Sequence, residues 1–274
     1  MAPPIGDLVD DLLAEHADLA SVLSSCPAEA WDTATPAEGW LVRDQITHLA
    51  WFDALARTAI TDPEALQAEA ETLLARRDTY MSEVNEFGRD VPGPALLGWW
   101  TDERRSLAAA ARAADPARRV PWFGPPMSLA SKLTARIMET WAHGQDVRDA
   151  LGRPPAATDR LAHVVHIGVG ARPYSYLVRG MDAPDTPIRV DVVLPSGRRL
   201  QLGDPGAADR VEGTALDLAL VVTQRRHLDD TDLTCSGPGA RQWLLIAQAF
   251  AGPPGAGRPP TGRRPAGGNA GGTA

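Results

Sequence analysis

Residues 138–152, METWAHGQDVRDALG, read as one run of helix, and their polar residues decide how the rest of the chain is understood. Glu139 and His143 stand four apart and Asp146 three further on, with Trp141 between them. With 3.6 residues per helical turn, offsets of four and seven return to one face. That face carries two carboxylates and an imidazole where a buried helix would carry Leu or Val. Such a stripe either meets water or meets something that takes O and N ligands, and solvent-facing pairs four apart are the commoner case. A third donor on another helix changes the balance. His48 is the candidate, in the run VRDQITHLAWFDALARTAI from Val42, whose apolar face is Ile46, Leu49, Ala50, Phe52 and Leu55. In bundles, metal sites are built from inward side chains on facing helices. Two His and one Glu form a zinc ligand set that leaves a fourth position for water or sulfur. Nickel, iron and manganese also accept these donors, and a thiolate suits borderline-soft zinc.

Outward from these two helices, helical periodicity predicts a first helix from Ile5 to Leu23. CPAEAWDTATPAEGW then breaks the pattern as a structured loop whose Trp31 and Trp40 plug the end of the fold. An amphipathic segment runs from Pro63 to Val84, and another helix starts near Gly93. Of Trp99 and Trp100 one belongs in the core; the other is expected to meet a C-terminal domain. DPARRVPWFGPPMS is a rigid loop, with Trp122 and Phe123 lining the site, and Ser128 is the N-cap of the long helix. A last helix breaks near Gly170 to Pro173; its His163 and His166 read as core or rim, since no third ligand is near in sequence. After Pro184 the texture changes. PIRVDVVLPSGRRLQLG alternates about Pro195-Ser196-Gly197 as a β-hairpin, GTALDLALVVTQRRH is helical, TDLTCSG a short strand and RQWLLIAQAFAG a closing helix.

Composition narrows the partners. A net charge of -8 argues against nucleic acid and anionic membranes, which need an excess of cations. The one lysine is Lys132. Two distant cysteines, Cys26 and Cys235, suggest no disulfide framework and fit a reduced cytoplasmic setting. The acidic N-terminus does not read as a secretory signal, and no apolar run is long enough to span a bilayer.

Two stretches, PAEGWLVRDQITHLAWFD (36–53) and METWAHGQDVRDALG, resemble the DinB-like superfamily. Within it the chain resembles the branch of mycothiol-dependent maleylpyruvate isomerases and mycothiol S-transferases of actinobacteria. PWFGPPMS and LVVTQRRH carry a closer resemblance to a metal-binding subgroup. The resemblance implies a mainly α fold: an up-down four-helix bundle over residues 1–180, then a small α+β sterol-carrier-like domain over 181–250. A Gly/Pro/Arg tail from 251 to 274 is expected to be disordered. It also implies metal ligands at His48, Glu139 and His143, an acidic active-site residue at Asp146, and an arginine of the second domain, Arg225 rather than Arg226. Asp146 then either orients the His143 imidazole or serves as acid or base. The arginine pair either grips a carboxylate or answers a helix dipole. The implied function is a metal-dependent, mycothiol-assisted isomerase or S-transferase. Its cofactor would be zinc, its cosubstrate mycothiol, its substrate small and anionic, its state monomer or homodimer. The alternatives are a thiol-independent lyase, hydrolase or cyclase of secondary metabolism, and a non-catalytic small-molecule binding module.

Overall fold

The structure is a computed structural model that describes residues 3–76 and 79–262. The chain falls into two compact units, Met1–Ala156 and Ala157–Ala274. Helices dominate the first: α1 (Ile5–Ser24), α2 (Val42–Thr61), α3 (Pro63–Ala75), α4 (Tyr80–Arg89), α5 (Gly93–Ala113) and α6 (Leu129–Ala150). Strands β1 (Arg119–Val120) and β2 (Met127–Ser128) form a short antiparallel pair just ahead of α6.

Local chemistry starts these helices where the sequence predicts. Ahead of α2, the Asp44 carboxylate accepts the Leu41 N–H at 2.9 Å. Asp62 accepts from Ala65 N–H at 3.1 Å, with Pro63 opening α3. Ser128 accepts from Ser131 N–H at 3.0 Å, the expected N-cap of α6. The segment from Pro63 folds as two helices, α3 and α4, rather than one. Both α5 and α6 pack on α1 and on α2. One apolar cluster joins Leu8, Leu12, Leu55, Leu107, Leu133 and Ile137, and a second joins Leu19, Leu23, Trp31, Ile46, Leu49 and Trp100.

This interior also holds ions. Asp53 of α2 is fully buried and accepts from Arg104 Nε of α5 at 2.8 Å, Arg136 Nε of α6 at 2.8 Å and Trp100 Nε1 at 3.0 Å. Arg104 also donates to Thr140 Oγ1 at 2.8 Å, and Arg136 to the Leu49 carbonyl at 3.2 Å. Three helices are thus tied through one carboxylate. Trp100 is the core member of its pair. Trp99 lies edge-on to Trp51 and Phe87 at 6.5 and 5.8 Å between ring centres.

The second unit contains α7 (Leu161–Gly170), α8 (Arg172–Leu177), β3 (Ile188–Val193), β4 (Arg199–Gly203), β5 (Asp209–Thr214), α9 (Ala215–Val222), β6 (Thr234–Ser236) and α10 (Pro238–Ile246). Its sheet has the order β4-β3-β5-β6, with β3 parallel to β5 and the outer pairs antiparallel. The expected hairpin is β3–β4, turned by Gly197 at φ 86°. The boundary lies at Ala156, earlier than the expected 180. The reason is α7, which packs on α9 so closely that a Cβ at Gly168 would overlap the Val222 side chain. The start of the tail is not the disordered run expected from 251. Gly252 O accepts from Tyr174 Oη at 3.1 Å, Gly255 O from Arg179 Nη2 at 3.0 Å, and Thr261 N–H donates to Asp230 at 2.8 Å. The expectation for 263–274 lies outside the described residues.

Candidate metal centre

His48, Glu139 and His143 come together. Each offers a ligand atom within 4.8 Å of the others, and among the described residues they form the one group of three such donors. Glu139 Oε2 lies 3.2 Å from His143 Nε2 and 3.7 Å from His48 Nε2. Donors sharing a tetrahedral zinc at 2.0–2.1 Å stand about 3.3 Å apart, so the separations fit such an ion. The imidazoles are 4.2 Å apart between ring centres; Trp40 lies 5.6 and 5.9 Å from them, and Phe52 lies 4.5 Å from His48. Neither cysteine joins the group.

Hydrogen bonds settle which nitrogen of His143 carries a proton. Thr35 Oγ1 donates to the Trp40 carbonyl at 2.9 Å, so it accepts from Gln45 Nε2 at 3.0 Å. The Gln45 amide therefore turns Oε1 toward His143 Nδ1, 2.5 Å away. That oxygen only accepts, so Nδ1 carries a proton, and the ring turns its Nε2 toward a carboxylate oxygen. Two lone pairs facing each other at 3.2 Å call for a proton or a cation between them.

Electrostatics agree. Burial, then the neighbouring His143, pushes His48 down to about 3 against the opposing pull of Glu139, so it is neutral at ordinary pH. Its Nδ1 is buried without a hydrogen-bond partner among the described residues. Burial works against ionising Glu139, yet hydrogen bonds from His143 and His48 hold it well below the usual carboxylate range. A neutral His48 and an ionised Glu139 are in the forms that bind metal.

The other sequence candidates divide. Asp146 is buried one turn beyond His143, but the acceptor at His143 Nδ1 is Gln45, which the sequence did not single out. Arg225 stands just past α9, where its N–H reaches Leu220 O at 2.7 Å while Gln224 N–H reaches Val221 O at 2.9 Å. With Gln224 at φ 61° this is a Schellman cap. The Arg225 guanidinium donates to Thr223 O at 2.6 Å and lies 6.0 Å from the Phe250 ring centre. Arg226, the lesser expectation, lines a cleft with Arg179, His227 and Arg258. His166 is exposed, and neither it nor His163 joins a metal-binding group among the described residues.

The chain is of the DinB-like class, which the family match over residues 12–148 supports. Residues 12–148 match the family model described as the mycothiol maleylpyruvate isomerase N-terminal domain, and the chain belongs to that family. Uncharacterised proteins of Mycobacterium tuberculosis, from strains H37Rv and CDC 1551, are each 45% identical over 259 residues, which is 94% of this chain and 100% of theirs. Among solved structures, a mycothiol-dependent maleylpyruvate isomerase and its histidine-to-alanine variant match with a TM-score of 0.56 at 17% identity, covering 85% of this chain and 93% of theirs. At that identity the likeness is one of fold. The family supports an enzyme in which mycothiol takes part and a small-molecule substrate. Among the described residues no helix is long and apolar enough to cross a membrane.

Proposed function

We propose that the protein is a metal-dependent, mycothiol-assisted enzyme that isomerises a small molecule or transfers a sulfur group to it. The observation carrying this reading is the convergence of His143 Nε2, Glu139 Oε2 and a neutral His48, with Oε2 3.2 and 3.7 Å from the two imidazole nitrogens. These three residues would hold the ion, zinc before nickel, iron or manganese by donor type. A divalent cation there would keep a thiol as thiolate near neutral pH and polarise a substrate carbonyl. Gln45 fixes the His143 ring, while Trp40 and Phe52 wall the imidazoles. Asp146, on the same face of α6, serves as acid or base. Arg225 supplies charge for an anionic substrate. The packing of α1, α2, α5 and α6 is read as an up-down four-helix bundle, and the second unit as the sterol-carrier-like domain.

Metal analysis of the purified protein beside His48→Ala tests the centre. About one ion per chain is expected in the parent and none in the variant; a metal-free parent ends the reading. Turnover of candidate substrates with and without mycothiol tests the thiol, and activity unchanged by removing all low-molecular-weight thiols rejects it. Arg225→Ala is expected to weaken substrate handling at full metal content, whereas Glu139→Ala loses both. A kinetically silent Arg225→Ala leaves that arginine a helix-end charge.

A further inference from the structure

Lys132 is the chain's only lysine, and it is 1% exposed. It precedes Arg136 by one turn of α6 and Glu139 by two, so it shares the face that carries the ligand set. Its amine makes no hydrogen bond or ion pair among the described residues. It lies instead on the Trp122 ring, with Nζ 3.0 Å from the ring centre. Trp122 meets Phe123 at 4.8 Å and Phe52 at 6.3 Å between centres, and Phe52 meets His48 at 4.5 Å. A continuous aromatic strip therefore leads from the amine to a candidate ligand.

A buried ammonium that meets an aromatic face but no hydrogen-bond acceptor among the described residues is only partly compensated, so this nitrogen either loses its proton or stays a cation held by the Trp122 face. Burial first, then the Arg136 charge, brings it down to about 6, against the opposing pull of Glu139. An unprotonated lysine with an uncommitted lone pair is a nucleophile toward carbonyl carbon. We propose that Lys132 is a carbonyl-reactive amine that condenses with a small aldehyde or ketone held against the aromatic strip. The inference rests on the small-molecule site proposed above. The nitrogen lone pair bonds to the carbonyl carbon and the carbonyl pair moves to oxygen. That oxygen then leaves as water with both amine hydrogens, and a C=N bond remains.

A single lysine makes the test clean. The full-length protein is incubated at pH 7 with glyoxylate or pyruvate and cyanoborohydride, then mapped by peptide mass, with the N-terminal amine counted separately. Lys132 is expected to gain one adduct at least about tenfold faster than free N-acetyl-lysine, whose amine is almost wholly protonated at that pH. Bulky trinitrobenzenesulfonate is expected to spare Lys132 until urea unfolds the chain. No adduct in the native protein, with full labelling after unfolding, overturns the proposal and leaves the amine a structural contact of Trp122. Equal labelling by small and bulky reagents also overturns it, because the amine is then open to solvent. Lys132→Met, checked for folding by its melting temperature, should lose the adduct. Metal content measured on the same samples separates the two readings. An adduct without bound metal sinks the metal centre alone; bound metal without an adduct sinks the reactive lysine alone.

Discussion

The two units bury different things. The helical unit buries charge: Asp44, Asp53, Arg104, Lys132, Arg136 and Asp146 are each at most 3% exposed. The second unit's buried polar groups are few, among them Ser175, Asp209, Thr223 and Gln248, and they mostly close backbone. Gln248 N–H donates to Ser175 Oγ at 3.0 Å, Thr223 Oγ1 to Ala219 O at 2.7 Å, and Asp209 Oδ1 accepts from Gly239 N–H at 3.0 Å. Buried polar groups that close backbone support a fold; buried ions that tie helices together are warranted mainly where side chains must be aimed.

The strongest way to break the comparison is to remove one acid from each unit. Asp53→Ala strands two buried guanidinium groups and is expected to destabilise by about 3–5 kcal/mol, since an ion left unpaired in a core is strongly unfavourable. Asp209→Ala should destabilise by only about 1–2 kcal/mol, the scale of a lost hydrogen bond. Urea unfolding of both variants decides, and equal losses would erase the distinction. Next in size, Thr35→Val frees the Gln45 amide to turn. Metal affinity, read by chelator competition, should fall about 10–100-fold, as for other lost outer partners of a metal-binding histidine. An unchanged affinity would show that Gln45 does not set the tautomer.

Protonation offers a subtler probe of the helical unit. Burial, then Arg104, lowers His16 from 6.5 to about 4. The unfolded chain therefore takes up this proton first. The His16 contribution is complete above pH 6.5 and is lost as pH falls toward 4. Between pH 7 and 5 the loss should be about 1–2 kcal/mol by linkage. The difference between parent and His16→Gln in urea midpoints at the two pH values measures it; no difference means a proton-accessible ring. The smallest effect is expected in the second unit. Gln224→Gly relieves a left-handed residue but loses the side-chain bond to Ala247 O at 3.0 Å. The two effects nearly cancel, so stability should move by less than about 1 kcal/mol in a thermal melt.

Much of this was legible before the structure. Helical period placed α1, α2, α5 and α6, Ser128 announced its cap, and Pro195-Ser196-Gly197 announced its hairpin. His48, Glu139 and His143 carried a recognisable donor chemistry. What escaped had no local signal. β5 offers one buried apolar side chain, Val211, and pairs in parallel with β3 across intervening chain, so no short-range pattern betrays it. Thr35 and Gln45 matter only through each other and His143, and such polar residues are ordinary on any helix or loop. Arg104 and Arg136 carry no local signal of burial, which depends on Asp53 lying between them. The early boundary at Ala156 depends on Gly168 meeting Val222, a contact between distant segments.

The chain of bonds from Trp40 O through Thr35 and Gln45 to His143 has an electronic consequence. Metal-binding imidazoles are often backed by a carboxylate, which raises their basicity and titrates with the medium. Here the backing group is a neutral amide, itself anchored on a peptide carbonyl, and neither ionises in the ordinary pH range. The imidazole is held in orientation without being made a stronger donor. A cation at Nε2 would therefore keep more of its Lewis acidity for its remaining ligand, and its grip would be insulated from acidity changes that would discharge a carboxylate.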